Sequence, residues 1–207
     1  HSRYYGSKST RSNDSKITYS MRTLLILFVS VLLYNCGEAK KPASKKETVV
    51  TITDDLKSTT IEGEEILLGV INLPQLKLFS SWYATEYNFY KVNPVAISKL
   101  KPFLKGITIT LLMGTWCEDS QREVSPMMKI LETAGYPIES IEIIAVSEDK
   151  DTPNGIEKPF DLFNVPTLIF IKDGKEMNRI VEFPIQTLEL DMLEILKGND
   201  YKTAYAE

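Results

Sequence analysis

The seven residues Ile107-Thr108-Ile109-Thr110-Leu111-Leu112-Met113 are all apolar or β-branched, and they stop at Gly114-Thr115-Trp116-Cys117-Glu118-Asp119-Ser120, beyond which the chain reads as helix. A strand that turns within a few residues into a helix restricts the chain to architectures of alternating strands and helices. The turn also carries Cys117. A cysteine at a helix start can have its thiolate stabilised by the N-terminal end of the helix dipole, which makes Cys117 a candidate nucleophile. Three residues on, where a dithiol redox motif would place its second cysteine, the chain has Ser120. Sulfur chemistry at this turn has one local sulfur.

Further along, the pattern predicts strands over 48–53 and 66–71, a helix over about 74–90, and a second helix over 94–104. The aromatic stripe Leu76, Leu78, Phe79, Trp82, Tyr83, Tyr87, Phe89 and Tyr90 recurs at helical spacing and reads as a core-facing surface. After strand 107–113 come a helix over 119–134 ending at Gly135, a strand over 141–146, and a polar loop over 147–157. A short helical piece over 158–163, a strand over 167–172, a turn at Lys172-Asp173-Gly174-Lys175, a strand over 176–182 and a helix over 185–196 complete the order. Crossover units imply parallel pairing, and the Asp-Gly hairpin adds antiparallel strands, so the sheet is expected to be mixed. Pro126, inside the helix after Cys117, is expected to kink it.

The length of 207 residues suits one domain plus additional segments, and contents of 43% hydrophobic and 25% charged residues argue against wholesale disorder. The net charge of −4 hides an asymmetry. Five basic side chains and one acid lie in the first 36 residues, which leaves 19 basic and 27 acidic residues from 37 onward, a net of −8. Such a segment has no electrostatic footprint for a phosphate backbone, so nucleic acid is not an expected partner. The one histidine is His1, which argues against Cys-His dyads and most zinc sites; no metal and no cofactor are expected.

Near the start, Met21-Arg22-Thr23 precedes the apolar run 24–34, then Asn35-Cys36-Gly37. A basic start and an apolar run of about 11 residues suit a signal peptide, whereas a membrane-spanning helix needs ~20. Cys36 resembles the acylated cysteine of a bacterial lipobox, although Tyr34 and Asn35 are bulkier or more polar than the small residues usual there. Residues 1–20 are expected to be upstream or disordered sequence, 21–36 a signal peptide, and 37–46 a flexible tether of small and charged residues. Residues 47–93 are expected to form an N-terminal strand and helix extension, 94–198 the main domain, and 199–207 a tail.

With Trp116-Cys117-x-x-Ser120 at the strand-to-helix turn and Val165-Pro166-Thr167 opening the penultimate strand 49 residues later, the chain resembles the thioredoxin family over about residues 95–197. The motif Trp116-Cys117-Glu118-Asp119-Ser120, with Arg122-Glu123-Val124, Gly174-Lys175-Glu176 and Arg179-Ile180-Val181-Glu182, is similar to a bacterial lipoprotein branch in which a Trp-Cys-x-Asp-Ser monothiol signature replaces the dithiol. The resemblance implies a three-layer α/β/α fold with a mixed sheet, a cis Pro166 beside the reactive cysteine, and a backbone edge there for an extended peptide. It implies that Trp116, Val165, Pro166 and Thr167 bind substrate and that Cys117 and Ser120 carry the chemistry, the serine donating a hydrogen bond to the sulfur. The buried aspartate that thioredoxins place six residues before the cysteine is Leu111 here. Glu118 and Asp119 disfavour a thiolate and oppose the helix terminus, while also suiting a first helical turn.

Two functions follow as expectations. One is a monothiol thiol-disulfide oxidoreductase or isomerase working through a mixed disulfide at Cys117, tethered to a membrane by a lipid on Cys36 and facing the periplasm. Its partners would be cysteine-containing envelope proteins or a small thiol. The other is a redox-inactive thioredoxin-fold module that binds an envelope protein.

Overall fold

The computed structural model describes residues 58–61 and 64–206. The segment 1–20, the apolar run 24–34, Cys36, the 37–46 tether and the strand expected over 48–53 lie outside the described residues.

Strands β1 (Ser58–Ile61) and β2 (Glu64–Leu67) pair antiparallel as a separate two-stranded sheet. The central sheet has five strands: β3 (Gly69–Ile71), β4 (Ile107–Met113), β5 (Glu142–Ala145), β6 (Thr167–Lys172) and β7 (Lys175–Val181). Their spatial order is β3-β5-β4-β6-β7. β4 runs parallel to β5, with Leu111 opposite Ile143, and the other pairings are antiparallel. The parallel pair needs a crossover, and the helix that begins at the Cys117 turn supplies it. The hairpin between β6 and β7 turns at Asp173 and Gly174, both at positive φ (51° and 75°), as its Asp-Gly dipeptide requires.

Five α-helices accompany the sheet: α1 (Leu73–Phe79), α2 (Ser81–Phe89), α3 (Pro94–Leu100), α4 (Glu118–Thr133) and α5 (Leu188–Leu196). Alternation along the strands divides the core in two. Ile109, Leu111, Met113, Ile143, Leu168 and Phe170 join the larger cluster, to which every α-helix contributes, including Met127, Met128, Ile130 and Leu131 of α4. Leu112, Ile144, Val146, Val165 and Ile169 form a smaller cluster, covered by Trp116, Cys117, Ile156, Phe160 and Leu162. The cover on this second face is therefore loop, with one 3-10 turn at Lys158–Phe160.

Several elements differ from the sequence reading. The helix expected over 74–90 is two helices, because Ser80 takes an extended conformation (φ −99°, ψ 99°) that ends α1 and starts α2. α1 is fixed at its other end by a reciprocal cap, in which Asn72 accepts from the Gln75 amide and Gln75 accepts from the Asn72 amide. The break shifts the helical phase. Leu76 and Tyr83 are buried, whereas Leu78 and Phe89 of the same stripe face outward. The strand expected over 66–71 is likewise divided at Leu68, its first part pairing with β1 and its second with β5. β3 thus brings part of the 47–93 segment into the central sheet as an edge strand. The helix expected over 94–104 is α3 followed by a 3-10 turn, Lys101–Leu104. The terminal helix begins at Leu188, where the Thr187 hydroxyl caps the Leu190 amide. No helix among the described residues is long and apolar enough to cross a membrane.

Candidate functional site

β4 delivers the chain to the site and α4 carries it away. Between them, the Cys117 amide donates to the Gly114 carbonyl (3.1 Å), closing a tight turn, and Cys117 is the N-cap residue of α4. The loop approaching β6 meets this turn from the neighbouring strand. Cys117 Sγ, half-buried, donates to the Val165 carbonyl at 3.3 Å, and the Val165–Pro166 peptide bond is cis. The six residues singled out around this turn are thereby brought to one end of the sheet, but in different roles.

Trp116 lies half-buried over the smaller core cluster, with its indole N–H donating to the Val146 carbonyl at 2.9 Å. Ser120 is fully buried, and its hydroxyl accepts from the Gly114 amide at 3.2 Å. It holds the turn under the cysteine, and no hydrogen bond from it to the sulfur is present among the described residues. Gln121 supports the same turn from the next position by donating to the Thr115 carbonyl. Val165 and Thr167 are also buried in their side chains, and Thr167 donates to the Asn164 carbonyl. From Thr167 onward β6 is flanked by β4 and β7, so the backbone edge expected at this site does not extend along the strand. The Pro166 carbonyl is itself occupied by the Glu182 amide (2.8 Å). The Val165 carbonyl is the one that takes the thiol. Leu111 lies in the larger core cluster with no exposure, leaving no buried acid at that position.

Charge around the site is arranged by pairs. Arg122 bridges Asp119 and Glu123, the latter at 2.8 Å, so one of the two acids flanking the cysteine is paired within α4. Glu118 is exposed. Glu182, at the end of β7 and at positive φ (60°), has its carboxyl pushed above the ordinary range by burial and then by the Asp119 charge, with Lys150 and Arg122 opposing. Glu182 was named in the resemblance without a role. No local sequence signal places it here, because its position depends on the register of β6 with β7. Among the described residues, no group of three or more His, Cys, Asp or Glu side chains could hold a metal ion.

A cysteine at the end of the central strand, a cis-proline opening the neighbouring antiparallel strand, and the order β3-β5-β4-β6-β7 define the architecture. The fold is thioredoxin-like. No protein-family model matches the chain, and no curated protein matches it. Among solved structures, it is similar to a protein of unknown function from Pseudomonas aeruginosa, at 14% identity over 56% of this chain and 82% of that one, with a TM-score of 0.44. It is also similar to thioredoxin O2 from Arabidopsis thaliana in the oxidised state, at 23% identity over 56% of this chain and 90% of that one, with a TM-score of 0.32. Mitochondrial thioredoxin 3 from Saccharomyces cerevisiae, in its oxidised form, gives 18% identity over 49% and 87%, with a TM-score of 0.28. Three residues after Cys117, the buried Ser120 serves the turn.

Proposed function

We propose that this protein is a monothiol thiol-disulfide oxidoreductase or isomerase. The observation that carries the reading is the half-buried thiol of Cys117, set at the start of α4 and donating to the Val165 backbone carbonyl. When Sγ leaves that carbonyl, sulfur and carbonyl are released together, the one to attack and the other to accept an amide from an incoming extended chain. The Cys117 thiolate then attacks one sulfur of a substrate disulfide. A Cys117–substrate disulfide forms, the substrate S–S bond breaks, and the departing sulfur leaves as a thiolate that takes up the proton released from Cys117. Because Ser120 has no sulfur, release falls to a second thiol. A thiol of the same substrate gives isomerisation; a small thiol or a partner protein gives reduction.

A lipid on Cys36, with 37–46 as tether, would hold the domain at the periplasmic face of the cell envelope, where its partners would be cysteine-containing envelope proteins. Incorporation of labelled palmitate that disappears in Cys36→Ser tests this attachment. The reading of a redox-inactive binding module is favoured by Ser120 being tied to Gly114 and by Leu111 standing in the core.

The deciding experiment incubates the full chain and its Cys117→Ala variant with an excess of a peptide disulfide and maps adducts by mass spectrometry. The expected result is a mixed disulfide at Cys117 that a small thiol discharges. Absence of that adduct, together with partner binding that Cys117→Ala retains, would establish the binding module instead.

A further inference from the structure

Three exposed aromatic rings lie together although they come from three separate parts of the chain. Phe163 lies two residues before Val165 and is 68% exposed; Phe183 follows β7 and is 39% exposed; Tyr205 lies in the chain beyond α5 and is 43% exposed. Phe163 meets Tyr205 edge-on at 5.8 Å between centroids, and Phe183 lies 6.4 Å from Tyr205. The Tyr205 hydroxyl also donates to Glu182, whose amide holds the Pro166 carbonyl. Tyr205 is thereby linked, through Glu182, to Pro166, the residue next to the Val165 carbonyl that takes the thiol. Phe163 and Tyr205, with Asp161 and Arg179, border a groove of about 330 Å³. Gathered apolar side chains beside an otherwise polar rim mark an interaction surface.

The charged side chains left without an ion pair on that rim are mostly acidic. Glu118 and Asp161 are exposed and form no ion pair among the described residues, and Asp119 and Glu182 lie close enough to interact. The nearby guanidinium groups are committed within the protein: Arg122 to Asp119 and Glu123, and Arg179 to Glu176 and the Phe160 carbonyl. Lys150 is the remaining cation whose charge reaches Glu182. A surface of this kind attracts a cationic partner and repels an acidic one.

We infer that the segment accepted at Cys117 is an extended polypeptide whose cysteine is flanked by a large apolar residue and by a lysine or arginine, and that Phe163, Phe183 and Tyr205 select it. This inference rests on the mixed-disulfide reading of Cys117. The large apolar side chain of the substrate lies against the three rings, and its basic group faces the carboxylates.

The test uses the full chain carrying Cys36→Ser, which leaves Cys117 as the one thiol of the original two. Its substrates are short peptides whose cysteine is activated as a mixed disulfide with thionitrobenzoate. Attack of Cys117 on the peptide sulfur forms the protein–peptide disulfide, breaks the activated S–S bond and releases coloured thionitrobenzoate. A peptide with phenylalanine and lysine beside its cysteine is expected to react about tenfold faster than its alanine counterpart, and a glutamate-containing peptide slower than either. Raising the salt concentration is expected to remove the contribution of lysine and leave that of phenylalanine. Phe163→Ser combined with Phe183→Ser is expected to bring the peptides within about twofold of one another, while the rate with a small symmetrical reagent, the disulfide of thionitrobenzoate itself, is unchanged. Tyr205→Ala, placed outside any helix or strand, provides the second variant. Equal rates in the unsubstituted protein, or a preference that survives in both variants, would overturn the inference alone. Failure of Cys117 to react with any disulfide, the small reagent included, would overturn the mixed-disulfide reading and the inference with it.

Discussion

Gly114 is required by a neighbour and not by its backbone angle. A Cβ at this position would lie 2.5 Å from Cε2 and 2.6 Å from Nε1 of Trp116, so any larger residue displaces the indole that packs over it. The displaced ring would lose its hydrogen bond to Val146 and uncover the smaller core cluster. Gly114→Ala is expected to cost about 1–3 kcal/mol in urea denaturation, with a red shift in tryptophan emission. Glu182 supplies a second residue-scale expectation, this one with a pH signature. Burial and Asp119 raise its carboxyl in the folded protein, so the folded state keeps a proton that the unfolded chain has already released. Its favourable contribution is present below the ordinary glutamate range and is lost as pH rises through the raised value. Relative to Glu182→Gln, the unsubstituted protein should lose stability across that window and show a constant difference above it, which denaturation at a series of pH values measures.

Helix α5 organises more of the molecule than its nine residues imply. Asp191, fully buried on it, accepts from the Ile185 amide (2.6 Å), the Gln186 amide (3.2 Å) and the Tyr201 hydroxyl (2.9 Å). Glu189, also buried, accepts from the Tyr90 hydroxyl (2.9 Å) and the Asn93 amide (3.0 Å). One carboxylate therefore fastens the loop before α5 and the chain after it, and the other fastens the segment between α2 and α3. Asn178 completes the arrangement by donating to the Tyr201 carbonyl, which holds the end of the chain along β7. Asp191→Ala leaves two amides and a hydroxyl without their acceptor and is expected to cost about 2–4 kcal/mol. Chymotryptic cleavage after Tyr201 should become faster in the same variant, which separates release of the tail from a general loss of stability.

At the scale of the whole molecule, what was legible in the sequence is what local chemistry dictates. The strand Ile107–Met113, the turn at Cys117, the Asp-Gly hairpin and the helix after the cysteine each announce themselves within a few residues. The division at Ser80 does not, since aromatic spacing reads alike on one long helix and on two short ones until the phase is known. Nor does the partner of the Ser120 hydroxyl, because a serine at that position can point to the sulfur or to the turn beneath it, and the burial that decides is tertiary. The rim of Phe163, Phe183 and Tyr205 is equally hidden, being assembled from a loop, a strand end and a tail through the β6–β7 register.

The contact between Cys117 and Val165 spans 48 residues of chain. At a synthesis rate of about 5–20 residues per second, the cysteine emerges about 2–10 s before the carbonyl that will hold it has been made. For that interval the nascent thiol lacks the acceptor that it has in the folded protein.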